Sequence, residues 1–315
     1  MYIFTNILGI FIFDEQFNVI DEILFNSLED CKNKDGYIET LKNRGFLNFK
    51  EPDKEEFKKN FLFFKGNFFF DDFYNKNLQL TKFSIKNSVK EDTLIIQSIK
   101  TIEETDKAIS LLAKRAREWY ELYNPEFSMA TENNEKFIEE IIDKEKSELL
   151  DKINSNIEDS IGADLGQEDI EPIKSLAHQI YSLCQLRKAH EDYISGLMEE
   201  LCPNTKAVCG FRIGAKLIEH AGSLKRLSEM PASTIQILGA ENALFRHMKT
   251  GAKPPRHGVI VHHPLIAKAP NNMHGKIARA LADKISIASK IDYFKGQFIG
   301  DKLRKELEEK FSVIK

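Results

Sequence analysis

Long apolar runs are missing from this chain. Nowhere in its 315 residues is there an uncharged apolar stretch of even about eighteen residues, whereas a helix that crosses a bilayer needs roughly 20 of them. A helical membrane span is therefore excluded. The N-terminus, MYIFTNILGIFIFD, has no basic leader and reaches Asp14 early, so we expect no signal peptide.

Cysteine is scarce as well. The chain has four cysteines, and they form neither a CxxC pair nor any spacing typical of a zinc site: Cys31, Cys184, Cys202 and Cys209. We expect four buried thiols in a reduced, intracellular protein.

The motifs of several enzyme classes are absent. The sequence contains no glycine-rich phosphate loop ending in Lys-Ser/Thr, no GxSxG and no GxGxxG. Glu241, in the run GAEN, is conceivable as a general base, but a carboxylate at a helix start more often complements the helix dipole. We therefore expect no catalytic residue in this chain.

Histidines cluster in one segment and raise the question of a metal site. His262 and His263 are adjacent, and His257 and His274 lie nearby. Adjacent residues of an extended run point to opposite sides, so they are poor co-ligands, and we expect no metal. Imidazoles in a basic loop are suited instead to stacking on RNA bases or donating to phosphate.

What the chain has in abundance is charge, and its two halves differ in sign. Residues 1–202 contain 25 basic and 40 acidic side chains, a net charge of −15, whereas residues 203–300 contain 15 and 5, a net charge of +10. Six of the eight histidines also lie in the basic part. Such an asymmetry indicates nucleic-acid binding by the basic part.

The first part of the chain is aromatic and predicts a small α/β domain. Residues 1–127 hold 17 of the 23 phenylalanines. The run YIFTNILGIFIFD, the turn-like DEQF and the run NVIDEILF predict a hairpin of two strands. FLFFKGNFFF (residues 61–70) resembles another strand, and residues 102–122 form an amphipathic helix that ends before Pro125.

The middle part predicts a helical hairpin. The run EKFIEEIIDKEKSELLDKINSNI (residues 135–157) suggests one long helix, the connection EDSIGADLGQEDIEP can reverse the chain, and a second helix follows. That second helix has apolar positions stepping by four and three residues, with two polar interruptions, at Leu176, Ile180, Leu183, Arg187, His190, Ile194, Leu197 and Leu201. This is the seam of a coiled coil. A hairpin this long exposes apolar surface, so we expect a second copy of the chain to cover it, with Arg187 and His190 setting the register.

The last part predicts compact helices with a basic surface. In residues 222–249 we expect a helical unit that buries Ile235, Leu238, Leu244 and Met248, and that exposes Gln236, Arg246 and Lys249. The run TGAKPPRHGVIVHHP is expected to be a loop around one short extended segment. A final helix buries the face of Ile277, Leu281, Ile285 and Ala288, and its opposite face, with Lys276, Arg279 and Lys290, is a candidate phosphate track.

Three runs in this last part carry a family resemblance: GSLKRLSEMPASTIQILGAENALFRHMK, PPRHGVIVHHPLI and GKIARALADKISIASKID. In order and spacing they resemble the Nop domain of the core scaffold proteins of box C/D small ribonucleoproteins. Three further runs resemble other parts of the family. They match the reversal of its coiled coil (SIGADLGQEDI), the entry to its Nop domain (PNTKAVCGFRIGAKLIEHAG) and the junction between its N-terminal domain and coiled coil (AKRAREWYELYNPEF). Residues 1–100 match in character only.

The resemblance implies a mainly α protein of three parts. Residues 1–125 would be an N-terminal α/β domain that binds fibrillarin, the methyltransferase that carries the methyl donor S-adenosylmethionine. Residues 126–204 would be a long antiparallel coiled-coil hairpin that pairs two copies. Residues 205–315 would be an all-helical Nop domain that binds a guide RNA kink-turn together with its ribosomal-type protein. This chain would then be a non-catalytic scaffold, without a cofactor of its own, for 2′-O-methylation of RNA.

Residue by residue, the family's RNA-facing signature matches Gly239, Ala240, Glu241, Ala243, Leu244, Phe245 and Arg246. His262 and the cations Lys276, Arg279 and Lys284 align as well. The expected RNA-binding set is Gln236, Asn242, Arg246, Lys249, His262, Lys276, Arg279 and Lys284. Asn242 stands where the family usually has a lysine. Members of the family commonly end in a lysine- and glutamate-rich tail, and the short length of this chain, with little of such a tail, favours an archaeal, cytoplasmic member over a nucleolar one.

Three other interpretations stay open from the residues. A spliceosomal-type Nop protein would share the RNA surface without binding fibrillarin. A hydrolase or nuclease would need a metal at His262, His263 or His274. A coiled-coil adaptor would have an incidental basic end and no salt-sensitive RNA association.

Overall fold

The fold is mainly helical, as predicted, with one small sheet. It is described by a computed structural model that covers residues 1–16, 18–27, 30, 34–46, 50, 52–66 and 69–311. The chain forms two compact units, Met1–Lys90 and Glu91–Lys315. Within the described residues, no helix combines the length and the apolar character that a bilayer crossing requires.

The first unit is built on an antiparallel sheet with the order β1-β2-β3, formed by Tyr2–Thr5, Gly9–Phe13 and Val19–Leu24. The sequence predicted a hairpin of two strands, but the sheet has three. The first apolar run contains a turn and therefore forms both β1 and β2. The Asn6 side-chain oxygen accepts hydrogen bonds from the N–H groups of Leu8, at 2.8 Å, and Gly9, at 3.3 Å. This side-chain cap closes a tight turn between β1 and β2.

In the described part of this unit three α-helices accompany the sheet: α1 (Lys34–Asn43), α2 (Lys54–Gly66) and α3 (Phe70–Lys86). The predicted strand at 61–70 is therefore wrong, since residues 61–66 end α2 and Phe70 begins α3; Asn67 and Phe68 lie outside the described residues. Helical periodicity explains the difference. Phe57 and Phe64 are two turns apart, and their ring centroids lie 5.2 and 5.6 Å from that of Phe4 in the sheet.

The second unit begins with a long antiparallel helix pair. Its first five helices are α4 (Glu91–Tyr120), α5 (Pro125–Ala130), α6 (Asn134–Asp143), α7 (Lys146–Lys152) and α8 (Gln167–Leu201). Ser98 Oγ lies 3.1 Å from His190 Nδ1, and Arg187 donates to Asp106 at 3.1 Å, so α4 and α8 run in opposite directions. The helix predicted at 102–122 thus exists, begins earlier and is the long partner of α8.

The sequence predicts residues 135–157 as the long partner of α8, and this pairing is corrected. Those residues form two short helices, α6 and α7, with Lys144 and Glu145 in extended conformation between them. The Glu140 carboxylate forms ion pairs with the ammonium groups of both Lys144 and Lys152. Because Glu140 belongs to α6 and Lys152 to α7, the second ion pair links the two helices across the break.

The seam of α8 is covered within one chain. Ile180 is fully buried, and Leu176 and Leu183 pack on a cluster formed mainly by α4, α6 and α8. Ile194 and Leu197 belong to the core that α4 shares with the C-terminal helices. The seam therefore needs no second copy for its burial, which corrects the reason given for self-association; self-association itself stays a prediction.

Arg187, the polar seam position, makes contacts inside the chain as well. Its guanidinium donates to both carboxylate oxygens of Glu135 at 2.7 Å and to Asp106 at 3.1 Å. This bidentate pairing joins α8 to α6 and α4, so Arg187 fixes the register of the helices within one protomer. The hydrogen bond and charge of Arg187 lower the pKa of Glu135.

Eight further helices follow in the described chain, and all of them except α13 contribute residues to one core. They are α9 (Pro203–Cys209), α10 (Phe211–Ala221), α11 (Leu224–Glu229), α12 (Ala232–Ile237), α13 (Glu241–Thr250), α14 (Pro264–Ala267), α15 (His274–Tyr293) and α16 (Gly300–Phe311). The predicted apolar face of α15 is buried at Ile277, Leu281, Ile285 and Ala288. Ile95, Ile99 and Ile102 of α4 join the same core, so α4 belongs to the second compact unit, which begins at Glu91.

A buried carboxylate fixes the end of α15. Asp292 accepts four hydrogen bonds of 2.7–3.0 Å, from the backbone N–H and the side chain of both Asn204 and Thr205. Asn204 Oδ1 in turn accepts from the Ile299 N–H at 2.7 Å, just before α16. Because α9 has no side-chain cap of its own, Asp292 caps it from across the fold.

Two of the three described cysteines are buried as predicted, and the third is not. Cys202 and Cys209 are buried thiols and Cys184 is half-buried. Burial raises the pKa of the Cys202 thiol, as it does that of Cys209. Cys31 lies outside the described residues.

Candidate nucleic-acid interface

The turn between α12 and α13 is built around Gly239. Its φ of +87° lies in the left-handed region, and a Cβ atom there would come within 2.4 Å of Val259 Cγ2. Both conditions favour glycine. The turn ends α12 behind the buried Ile235 and lets α13 begin in a new direction at Glu241.

Glu241 closes this turn. Its Oε1 accepts a hydrogen bond from the Gly239 N–H at 2.8 Å and lies 3.8 Å from His220 Nδ1. Burial alone would raise the pKa of Glu241, but the backbone N–H groups of Gly239 and Glu241, with His220, hold that pKa below its usual value. The predicted role of a helix-start residue is confirmed.

Helix α13 projects its side chains away from the core. None of its residues 241–250, all within the described part of the chain, is buried. The expectation that Met248 packs inside is wrong, since 72% of it is exposed, and Leu244 is only half-buried. The turn at Gly239 redirects the helix, so the periodicity that continued from Ile235 and Leu238 does not reach the core here.

The α13 surface combines cations with apolar groups. Asn242, Arg246 and Lys249 are exposed, and among the described residues no carboxylate forms an ion pair with either cation. Phe245, 59% exposed, lies on the same helix. We call these residues, with Met248, the α13 surface. Unpaired cations beside exposed apolar side chains suit a partner that presents both phosphates and protein.

A groove of about 990 Å³ opens between α12, the loop 251–258, α15 and α16. Three predicted residues line it, namely Gln236, Lys276 and Arg279. Three further cations that the sequence analysis did not single out line it too: Lys253, Arg256 and Lys310. The run KPPR signals the first two, as cations beside a rigid proline pair, whereas nothing in the local sequence places Lys310 there. We call this the basic groove.

Gln236 contributes to the groove through its loop. Its Nε2 donates to the Arg256 carbonyl at 2.7 Å, and its own carbonyl accepts from the Gly258 N–H at 2.8 Å. A Cβ atom at Gly258 would lie 1.9 Å from the Leu238 carbonyl oxygen, so the two backbones can approach only because residue 258 is glycine. Gln236 therefore holds the loop in place, a role that the RNA-binding prediction did not include.

Two other predicted residues lie outside the groove. The Lys284 ammonium forms an ion pair with Glu306 of α16, and this hydrogen bond lowers the pKa of Glu306. The charge of Lys284 is therefore already paired within the chain, and its contact with RNA stays a prediction. His262 is exposed, and it ends a 3₁₀ turn, Val259–His262, where the sequence predicted an extended run.

The other histidines of this segment support the fold. His263 Nδ1 accepts from the Leu265 N–H at 3.3 Å and caps α14, and burial lowers its pKa. The rings of His257 and His274 lie 5.7 Å apart, and burial, with the charge of His274, lowers the pKa of His257. Among the residues described by the structure, no three histidine, cysteine or acidic side chains gather in a way that could hold a metal ion.

Comparison with known proteins gives consistent similarities. The family profile "Nop: snoRNA binding domain, fibrillarin" matches residues 101–313. An uncharacterised NOP5 family protein of Methanocaldococcus jannaschii is 39% identical over 265 residues, which cover 78% of this chain and 64% of that protein. Nucleolar protein 56 of Caenorhabditis elegans is 37% identical over 248 residues, 71% of this chain and 51% of that protein.

The human Nucleolar protein 56 is 36% identical over 250 residues, 72% of this chain and 42% of that protein. The matched region thus spans from under half to just under two thirds of the length of these relatives. Among solved structures, a crystal structure of a fibrillarin/Nop5p complex is similar with a TM-score of 0.46 and 24% identity, covering 99% of this chain and 100% of that chain.

Proposed function

This chain belongs to the Nop family, and from that premise we propose that it is a non-catalytic scaffold of a box C/D-type small ribonucleoprotein. In this role it joins fibrillarin to a guide RNA and its kink-turn-binding protein, and so supports RNA-guided 2′-O-methylation. The observation that carries the proposal is the α13 surface, where Arg246 and Lys249 are exposed without an ion-pair partner among the described residues.

Charge and exposure explain why RNA suits this surface. Uncompensated cations gain affinity for phosphates by releasing the counterions of the RNA. Phe245 and Met248 on the same helix would lose exposed apolar area against a protein, at a gain of about 25 cal/mol for each Å² buried. A single helix that offers both kinds of contact fits a composite partner, the kink-turn together with its bound protein.

The first unit is the proposed site for fibrillarin. Helix α3 has no buried residue in its described span 70–86, and it exposes Phe70, Tyr74 and Ile85. Exposed apolar side chains on one 17-residue helix are a feature of protein-binding surfaces. In this proposal the methyl donor S-adenosylmethionine binds to fibrillarin, and this chain binds no cofactor.

Self-association is part of the proposal as well. The outer faces of the α4–α8 pair expose Leu111, Leu186 and Tyr193, which a second copy of the chain would cover. The relatives are archaeal and eukaryotic, and the latter are named nucleolar proteins. We propose a cytoplasmic location for an archaeal chain and a nucleolar one for a eukaryotic chain.

The test is a gel-shift titration of kink-turn RNA, with and without its kink-turn-binding protein, at moderate salt. Arg246→Ala and Arg279→Ala should each weaken binding to the RNA–protein complex by about 1.5–3 kcal/mol, the range for hydrogen bonds to charged groups. That is roughly a ten- to hundredfold rise in Kd.

Lys302→Ala is the matched control, because Lys302 is exposed on α16 outside both the α13 surface and the basic groove. It should leave the Kd unchanged within about twofold, as is usual for surface substitutions. If the Arg246→Ala protein binds as tightly as the unaltered protein, the placement of the RNA surface on α13 is refuted.

A further inference from the structure

The basic groove holds more charge than the fold needs. Five cations line it, and the lining includes one carboxylate, Asp283. None of the five forms an ion pair with Asp283 or with any other carboxylate of the described chain. Like charges around one groove repel each other, and a bound polyanion would relieve that repulsion. The five are Lys253, Arg256, Lys276, Arg279 and Lys310.

The loop that carries two of these cations is already held in position. Gln236 donates to the Arg256 carbonyl, and the Arg256 guanidinium donates to the Asn271 carbonyl at 3.2 Å. Pro254 and Pro255 restrict the backbone between the two cations. Because the loop is ordered before any ligand binds, little conformational entropy is lost on binding.

The first turn of α15 adds to the same field. Gly275 and Lys276 line the groove, and α15 has 20 residues and no side-chain cap at its N-terminus. The positive end of the helix dipole therefore reinforces the cations. The described lining contains no aromatic side chain on which a base could stack, so the groove suits the sugar-phosphate backbone rather than the bases.

We propose that the basic groove is a second RNA contact, separate from the α13 surface, which holds the phosphodiester backbone through Lys253, Arg256 and Lys310 in addition to Lys276 and Arg279. The inference rests on the proposed function, since it assumes that RNA is the ligand. It assigns to the C-terminal helix α16 a direct RNA contact at Lys310, whose charge reaches the groove only through the folding of α16 onto the core.

The test is a salt titration of the complex of the full chain with kink-turn RNA and its binding protein. The variant Lys253→Gln/Arg256→Gln/Lys310→Gln removes three exposed charges from the groove. Each phosphate contact contributes about 0.9 to the slope of log K against log salt, so the slope should fall by about 2–3. The loss should be equal for stems of different sequence, because phosphates carry no sequence information.

The matched control is Lys225→Gln/Lys295→Gln/Lys302→Gln, which changes the net charge equally at exposed positions outside the groove. It should leave the slope within about 0.5 of the unaltered protein, because those charges make no phosphate contact. An equal fall in slope for both triple variants would overturn the proposal, since net charge alone would then explain it.

The outcomes also separate this inference from the proposed function. If Arg246→Ala weakens binding and the groove variant keeps the full slope, the groove contact is refuted and the scaffold proposal stands. If neither Arg246→Ala nor the groove variant changes RNA binding, both the groove contact and the scaffold proposal are refuted. Should the triple variant unfold, the double variant Lys253→Gln/Lys310→Gln serves instead, because neither side chain makes a hydrogen bond within the described protein, and its slope should fall by about 2.

Discussion

Replacing Asp292 by alanine is expected to destabilise the second unit more than any surface change. The carboxylate is 7% exposed and accepts four hydrogen bonds, all of them from Asn204 and Thr205. A hydrogen bond to a charged group contributes about 1.5–3 kcal/mol, but the four donors are not lost independently. Alanine leaves these four buried neutral donors without their acceptor, and an unsatisfied buried donor costs about 1–3 kcal/mol, so we expect a total loss of about 3–5 kcal/mol.

The conservative variant separates charge from shape. Asp292→Asn keeps one acceptor oxygen and turns an amide NH₂ toward groups that are themselves donors, so about 2–3 kcal/mol should be lost. The backbone N–H groups of Asn204 and Thr205, at the start of α9, would lose the carboxylate that accepts their hydrogen bonds. The connection to α16 through Ile299 would loosen at the same time.

The assay is urea unfolding followed by circular dichroism at 222 nm, with thermal unfolding as a second measurement. For a unit of this size 1 kcal/mol shifts Tm by about 2–4 °C, so Asp292→Ala should lower Tm by roughly 6–20 °C. Asp283→Ala is the control, an exposed carboxylate on the same helix that should change stability by less than about 0.5 kcal/mol. A loss below about 1 kcal/mol for Asp292→Ala would refute the capping role.

Two further changes test other parts of the fold. Gly258→Ala places a methyl group 1.9 Å from the Leu238 carbonyl oxygen, so it should cost about 1–3 kcal/mol in urea unfolding; no loss would show that the two backbones are not in close contact. Arg187 lowers the pKa of Glu135, so the stability from this pair is present above the ordinary glutamate pKa and is lost as pH falls through the lowered value. Arg187→Met should flatten the fall of the urea midpoint between about pH 5 and pH 3, and an unchanged pH profile would contradict the pairing.

Helical periodicity is a better guide to the face of a helix that is buried than to the element that covers this face. The buried positions of α15, such as Ile277 and Leu281, follow from their spacing alone. The seam of α8 was recognised as well, but its long partner is α4, because spacing within one helix carries no information on its neighbour. Asp106 and Glu135, which pair with Arg187, are far away in sequence.

Short aromatic runs were the least predictable. FLFFKGNFFF has apolar residues at almost every position, so neither a period of two nor one of 3.6 stands out. The contact of α2 with the sheet decides the outcome, through Phe57 and Phe64 against Phe4. The extra strand at the N-terminus depends on a single side chain, Asn6, whose turn could be recognised only as a possible interruption of an apolar run.

The candidate site shows the same limit, and α15 shows how far spacing can go. At 100° per residue, Lys276 and Arg279 lie about 60° apart around the helix axis, and Lys284 lies about 140° from Arg279 but only about 80° from Lys276. Lys284 does not line the groove, and it pairs with Glu306 on α16. Spacing alone could not have excluded Lys284. It could not have added Lys310, because the angle between α15 and α16 is set by the buried contacts of Leu303 and Leu307, and not by any residue of the groove.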